Sequence, residues 1–175
     1  MKHGAKVNLL DSDGETPLDL AIWWEKYQIA ELLMHHGAKY HCNEEDDLSS
    51  ILQEASYKGC YEVCKVLLEN GANVDGLADP YTPLQHAADE GHIDIIELLI
   101  KNGANVNFQD DDFQSPFHCA AVRNRADVVK KFFELGTDLD LNIRNIEGNT
   151  VFEEAVEKKL GGIFKMLIYD SHKKN

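Results

Sequence analysis

The feature that most constrains the fold of this chain is a pair of short phrases that recur together about every 33 residues. One phrase is Gly-Ala-Asn-Val-Asn or a variant of it, and the other is Thr-Pro-Leu or a variant of it. The Thr or Ser that opens the second phrase recurs at intervals of 34, 32, 33 and 35 residues, at Thr16, Ser50, Thr82, Ser115 and Thr150. Two phrases with a common period predict a stack of similar structural units.

Each unit predicts a short helix, a break and a second helix. In the third unit, Thr82-Pro83 predicts a helix start, because the Thr hydroxyl can cap free N–H groups and Pro fits the first turn. Gly91-His92 predicts the break, and Asn102-Gly103 predicts the end of the second helix, because Gly tolerates the left-handed position there. Between them, apolar residues follow the spacing of a helix face, at Ile95, Ile96, Leu98 and Leu99.

The third unit closely resembles an ankyrin repeat. Its sequence runs from Thr82-Pro83-Leu84-Gln85-His86-Ala87-Ala88 to Gly91-His92, and continues through Leu98-Leu99 to Gly103-Ala104-Asn105-Val106-Asn107. The chain is therefore similar to ankyrin-repeat proteins over almost its whole length. This resemblance implies an all-α repeat solenoid, in which stacked helix–turn–helix units are joined by β-hairpin-like turns.

The resemblance also implies a single domain over residues 1–175. Its repeats cover residues 9–41, 42–75, 76–107, 108–140 and 141–175, and residues 1–8 are the remnant of a preceding repeat. The fifth repeat is lysine-rich, so we interpret it as a C-terminal cap with a polar outer face. We expect the chain to be a piece of a longer protein. The alternative is that Met1 is the true start and the first unit caps itself.

Stacking predicts one continuous apolar core, because a single unit cannot bury its apolar side alone. The second helices supply an apolar pair to this core in each unit. These pairs are Leu32 and Leu33, Leu67 and Leu68, Leu98 and Leu99, Phe132 and Phe133, and Met166 and Leu167.

The charge distribution favours a basic protein or peptide as the partner. The formal net charge is −14, and residues 41–120 hold sixteen acidic and three basic side chains. Nucleic acid is bound mainly through phosphates that need Lys and Arg, so we exclude it as a partner. The longest strongly apolar run, residues 93–100, is interrupted by Asp94 and Glu97. It is too short and too polar for membrane insertion, which needs about 20 apolar residues.

Four cysteines are too few for a disulfide-built scaffold. They predict free thiols in a reducing compartment, and hence a cytoplasmic protein. Residence in the nucleus and delivery into a host cell as an effector remain alternatives. We expect a monomer that needs no cofactor.

By the same resemblance, partners bind the exposed, concave face of the first helices. The positions before each break that form this first-helix face include Trp23, Trp24, Tyr57, Lys58, Asp89, Glu90 and Arg123. Trp, Tyr and Arg are enriched at binding hot spots, and two adjacent tryptophans at open positions are unusual. The alternative for a tryptophan is packing against a neighbouring repeat.

The turn tips form a second predicted binding surface. We name it the turn strip, and its acidic and aromatic residues are Asp46, Asp47, Asp79, Tyr81, Asp111, Asp112 and Phe113. Such a strip suits a basic segment with one or two apolar anchors. The alternative is that acidic turns merely keep the protein soluble.

The sequence motifs that could indicate metal binding or catalysis are weak. The acidic runs at residues 44–47 and 110–112 lack the alternating ligands and central Gly of an EF-hand, so we predict no metal site. His118 beside Cys119 suggests a nucleophile pair, but this His occupies a position that is structural in the family. Asn107 lies in a context that resembles the sites of asparaginyl hydroxylases, and we name it as a candidate modification site.

Three functions follow from these observations. The leading one is a non-catalytic protein–protein interaction scaffold. The second is a substrate-targeting or regulatory region of a larger enzyme or secreted effector. The third is catalysis by His118 and Cys119, which requires an accessible thiol with a low pKa.

Overall fold

The protein is built from short helices joined by turns. The computed structural model describes residues 6–41, 48–76 and 81–171. Over these ranges it contains no strand, and its helices are α1 (Pro17–Trp23), α2 (Tyr27–His35), α3 (Leu48–Lys58), α4 (Tyr61–Glu69), α5 (Pro83–Glu90), α6 (Ile93–Lys101), α7 (Pro116–Val122), α8 (Ala126–Glu134), α9 (Val151–Glu157) and α10 (Gly161–Ser171).

The helices form five pairs that stack in chain order. Each odd-numbered helix packs against the even-numbered helix that follows it. From α3 onward, the odd-numbered helices also pack in one row, and the even-numbered helices from α2 to α10 pack in a second row. The prediction of an all-α repeat solenoid is therefore confirmed. The repeat boundaries and the remnant at residues 1–8 remain predictions, and residues 1–5 lie outside the described ranges.

Four of the five predicted helix starts carry the same capping arrangement. Thr16, Thr82, Ser115 and Thr150 each accept a hydrogen bond from the backbone N–H three residues later, and the side chain of that residue returns to the cap. This reciprocal capping box satisfies two orphan donors. The second unit differs, because α3 begins at Leu48, near the expected start, and Ser50 lies inside the helix rather than at its cap.

Every break between paired helices places one residue in the left-handed backbone region. Gly59 and Gly91 occupy it in the second and third pairs, with φ of 75° and 89°. The equivalent residues elsewhere are Glu25, Asn124 and Lys159, with φ between 54° and 58°. The break is thus a fixed turn, even where the sequence lacks the glycine that favours it.

The core runs continuously through the stack, as predicted, with one error. Leu33, Leu67, Leu99, Phe132 and Leu167 are buried. Their neighbours Leu68, Leu98, Phe133 and Met166 are partly buried against the same core. Leu32 was wrongly assigned to the core, because it is 54% exposed. It lies on α2, and among the described residues no helix pair packs on the side of α2 away from α4.

The last pair shows both polar and apolar residues at its surface. On α9, Phe152 and Val156 are exposed. Lys158 and Lys159, which follow α9, are exposed as well. The role of this pair as a C-terminal cap stays a prediction. No helix in the described part of the chain is long and apolar enough to cross a bilayer.

Candidate functional site

The two tryptophans of the first-helix face lie at the carboxyl end of α1. Trp23 is the last residue of this helix and Trp24 is its C-cap. They are 56% and 63% exposed, whereas Ala21 and Ile22 beside them are buried. Both indole rings therefore present most of their surface to solvent, where a partner can reach them.

The next pair on this face is Tyr57 and Lys58, and the Lys58 side chain forms ion pairs with carboxylates from two repeats. Tyr57 is exposed near the end of α3, and Lys58 is its last residue. The Lys58 ammonium lies 3.1 Å from Glu25 of the first repeat and 2.7 Å from Glu54 of its own helix. Both carboxylates raise the pKa of Lys58 above its usual value, and the hydrogen bond with Glu54 contributes most. Lys58 thus links two repeats while staying on the surface.

A similar link joins the third and fourth repeats. The Arg123 guanidinium donates from Nε to Oδ1 of Asp89 at 2.7 Å. Beside it, Arg125 donates to the backbone carbonyl of Asp89 at 2.8 Å and lies 3.7 Å from the Glu90 carboxylate. The three predicted residues Asp89, Glu90 and Arg123 therefore meet at one place on the first-helix face.

Aromatic rings from two predicted surfaces meet beside these charges. The His86 ring makes an edge contact with Tyr57 at a centroid distance of 5.6 Å and with Tyr81 at 5.5 Å. Tyr57 belongs to the first-helix face and Tyr81 to the turn strip. Together with Asp89, Glu90 and Arg123, the three rings line a cleft of about 220 Å³. The structure thus brings parts of both predicted surfaces into one site.

The electrostatic surroundings of the cleft are acidic. Burial lowers the pKa of His86, and the carboxylates of Glu54, Asp89 and Glu90 oppose that shift. Burial likewise raises the pKa of the Tyr81 hydroxyl. The negative charges of Asp110, Asp112 and Asp89 increase the pKa of Tyr81 further. Both shifts favour the uncharged form of the ring, for His86 and for Tyr81 alike.

The described part of the turn strip combines acidic and apolar side chains. Asp111 and Asp112 are exposed, and Phe113 is 53% exposed with a left-handed φ of 57°. The Ile146 N–H donates to the carbonyl of Asp112, which joins the strip to the next turn. The predicted members Asp46, Asp47 and Asp79 lie outside the described residues.

Asn107, the candidate modification site, bridges two successive turns. Its side-chain amide donates to the Asp138 carbonyl at 2.8 Å and accepts from the Asp140 N–H at 2.9 Å. Asn8, which lies 99 residues earlier in the chain, makes the same pair of bonds to Gly37 and Lys39. Both polar atoms of the Asn107 side chain are thus engaged in holding the stack together.

His118 and Cys119 have the environment of core residues. His118 is buried, and its Nδ1 lies 2.8 Å from the capping hydroxyl of Ser115. Cys119 is also buried, and burial raises the pKa of its thiol far above the usual range. A nucleophilic cysteine needs a lowered pKa, so this geometry does not suit catalysis by the pair. Among the described residues, no three His, Cys, Asp or Glu side chains cluster in a way that could hold a metal ion.

Sequence reasoning missed His86 and Arg125. His86 stands three and four residues before Asp89 and Glu90, a spacing that places all three on one helix face. That spacing was a usable signal for His86. Arg125 occupies the position of the usual His after the break, and its link to Asp89 and Glu90 depends on how the repeats stack. Another exposed apolar residue next to the turn strip, Ile146, was not named either.

Two family profiles match the sequence. The profile described as "Ankyrin repeats (3 copies)" matches residues 40–110, and the profile described as "Ankyrin repeat" matches residues 13–46. Together they span α1 to α6 and more than half of the chain, including Tyr57, Tyr81, His86 and Asp89 of the cleft. No curated protein matches the sequence.

Proposed function

The chain belongs to the ankyrin-repeat family, and we propose that it is a non-catalytic scaffold that binds a basic partner protein or peptide. Ankyrin repeats mediate protein–protein interactions, and stacked repeats offer extended surfaces for them. The partner contacts the first-helix face and the turn strip. The observation that carries this proposal is the meeting of aromatic rings from both surfaces with the carboxylates of Asp89 and Glu90 in one cleft.

The residue types on the first-helix face support a protein partner. Trp23, Trp24 and Tyr57 are large, exposed side chains at the carboxyl ends of the first helices α1 and α3. Such rings bury a large area on binding at a small cost in conformational entropy, which is why they recur at hot spots. The buried side of each helix is occupied by the core, so these exposed rings are available to a partner.

The charge of the chain supports a basic partner. Three acidic groups surround His86 and three act on Tyr81, whereas the nearby cations Lys58 and Arg123 are already paired. Complementary charge speeds association and fixes orientation more than it adds affinity. We further propose that the protein acts as a monomer in a reducing, cytoplasmic compartment, which suits the free thiols of Cys60, Cys64 and Cys119.

The test is capture of the partner from the native cell, followed by an affinity measurement with two matched variants. Trp23→Ala with Trp24→Ala should weaken binding by about 2 kcal/mol or more if either ring is an anchor. The control is Ile29→Ala with Leu32→Ala, which removes two exposed apolar residues from α2 of the same repeat. Unchanged affinity together with a lower thermal midpoint would indicate that the tryptophans serve packing instead.

Salt provides a second test of the proposed partner chemistry. Exposed charges are screened beyond about 8–10 Å at physiological ionic strength, so affinity should fall as salt is added. Affinity that does not change with salt argues against a basic partner. A catalytic domain encoded next to these repeats would favour the alternative, a targeting region of a larger enzyme or effector.

A further inference from the structure

The cleft between the second, third and fourth repeats has the chemistry of a cation site. Its walls carry the rings of Tyr57, Tyr81 and His86, and its rim carries the carboxylates of Asp89 and Glu90. Aromatic faces attract cations, and the attraction grows when the cation is partly removed from water. Carboxylates next to the rings add direct ion pairing. A neutral or acidic ligand would gain neither interaction.

The guanidinium of Arg123 indicates which kind of cation fits the rim of the cleft. The Arg123 guanidinium lies 2.7 Å from Asp89 and lines the same cleft. A guanidinium is planar, so it can stack on a ring while its N–H groups meet a carboxylate. An ammonium group is a compact charge that cannot do both with one flat surface. These geometries favour arginine over lysine as the incoming side chain.

We propose that this cleft receives one arginine side chain of the partner, whose guanidinium takes the place of Arg123 on Asp89 and stacks against the aromatic rings that line the cleft. The inference rests on the proposed function and specifies how the same surface recognises its partner. We call the site the arginine cleft. It is defined by Tyr57, Tyr81, His86, Asp89, Glu90 and Arg123.

Displacement of Arg123 costs little. Its side chain is 60% exposed, and it follows α7 as a C-cap rather than lying within the core. Exposed ion pairs add little to stability, so the intramolecular pair competes only weakly with a partner. Asp89 is the less exposed member at 27%, and it is also positioned by Arg125 through its backbone carbonyl. The acceptor therefore stays in place when the donor is exchanged.

The test is a titration of the intact protein with N-acetyl-arginine amide, followed by two-dimensional NMR. We expect saturable shifts at His86, Tyr57 and Tyr81, and much weaker shifts with N-acetyl-citrulline amide, which has nearly the same shape without the charge. Asp89→Asn should lower the affinity about tenfold, because the incoming guanidinium loses the negative charge of its hydrogen-bond acceptor. The matched control is Glu97→Gln, which removes an ion pair with Lys131 between the same two repeats.

A second pair of variants tests the exchange itself. Arg123→Gln should raise the affinity for N-acetyl-arginine amide severalfold by removing the competitor, whereas Lys131→Gln should leave it unchanged. Thermal midpoints of all four variants show that each is folded. The proposal is overturned if the arginine probe gives no saturable shifts, if citrulline binds equally well, or if Arg123→Gln weakens binding.

The two proposals fail in different ways. If the tryptophan variants weaken the cellular partner but the arginine probe does not bind, the arginine cleft is wrong and the proposed function stands. If the probe binds as described but the tryptophan variants bind the partner with unchanged affinity, the arginine cleft stands and the proposed interaction surface is wrong.

Discussion

Gly59 and Gly103 have the same backbone conformation but different surroundings. Both have positive φ, of 75° and 91°. A Cβ atom on Gly59 would lie 2.6 Å from the His92 ring, whereas a Cβ atom on Gly103 would meet nothing within 4 Å. The His92 ring is itself fixed, because its Nε2 lies 3.0 Å from the Tyr57 carbonyl. Gly59 thus allows the second and third repeats to approach each other.

We therefore expect Gly59→Ala to destabilise the protein more than Gly103→Ala. The left-handed conformation costs either alanine about 1–2 kcal/mol, and only Gly59→Ala must also move the His92 ring. Chemical denaturation of both variants measures the difference in the free energy of unfolding. Equal losses would show that His92 moves aside without cost.

The stability of the fourth repeat should depend on pH because of His118. Burial lowers its pKa below the usual 6.5, and the charge of Glu154 and the carbonyl of Asn149 only partly oppose the shift. The unfolded chain therefore binds a proton more readily than the folded chain. The stability contributed by neutral His118 is complete above about pH 6.5 and is lost as the pH falls towards the lower pKa of the folded state.

Replacing His118 with glutamine should flatten this dependence. Gln85 occupies the same capping position in the third repeat, so the His118→Gln variant retains a suitable side chain. The thermal midpoint of the wild type should fall more steeply than that of the variant between about pH 7 and pH 5, because glutamine does not titrate. Parallel profiles would contradict the assignment of this pH dependence to His118.

At the scale of the residue, local chemistry could be predicted and contacts across repeats could not. The capping role of Thr16, Thr82 and Thr150 depends only on neighbours three residues away. The ring contacts of His86 come from two other segments, and the exposure of Leu32 depends on what packs beside α2. A sequence pattern does not encode such neighbours directly.

At the scale of the helix, the break between paired helices has the same backbone conformation in all five pairs, although the residue type differs. Glu25, Asn124 and Lys159 adopt the conformation that Gly59 and Gly91 adopt without strain. The structure overrides local preference because the two helices of each pair must fold back to bury their apolar sides. Asn tolerates this region better than Glu or Lys, so the strain is greatest in the first and last pairs.

Lys159→Gly should consequently stabilise the last pair. Relief of the left-handed conformation contributes about 1 kcal/mol, and the turn keeps its N–H bond to the Val156 carbonyl. Lys159→Ala is the control, because it removes the charge but keeps the Cβ atom. The thermal midpoint should rise for glycine alone. A similar rise for alanine would assign the effect to charge.

At the scale of the whole molecule, each helix pair is stabilised mainly by its neighbours. The central helices α5 and α6 have packed pairs on both sides, and the apolar residues Leu84, Ile96 and Leu99 are completely buried. On α2, Ile29 and Leu32 remain exposed. The stack as a whole followed from the period in the sequence, but the unequal support of its units followed only from the structure.

Hydrogen exchange should reveal this difference. The helices α2 and α6 have nine residues each, so peptides covering them are matched in length. We expect slower exchange in α6, because opening it disrupts contacts with both α4 and α8, whereas α2 packs on α1 and α4. Equal protection factors would mean that the stack opens only as one cooperative unit.

The third repeat has every feature that the others share only in part. Its first helix starts at a Thr-Pro capping box, its break has glycine at the left-handed position, and its second helix ends before another glycine. It also packs on similar units on both sides. The unit formed by α5 and α6 is therefore a portable module: a tandem duplicate inserted beside the original would meet surfaces of the kind it already fits, and would lengthen the stack by one helix pair.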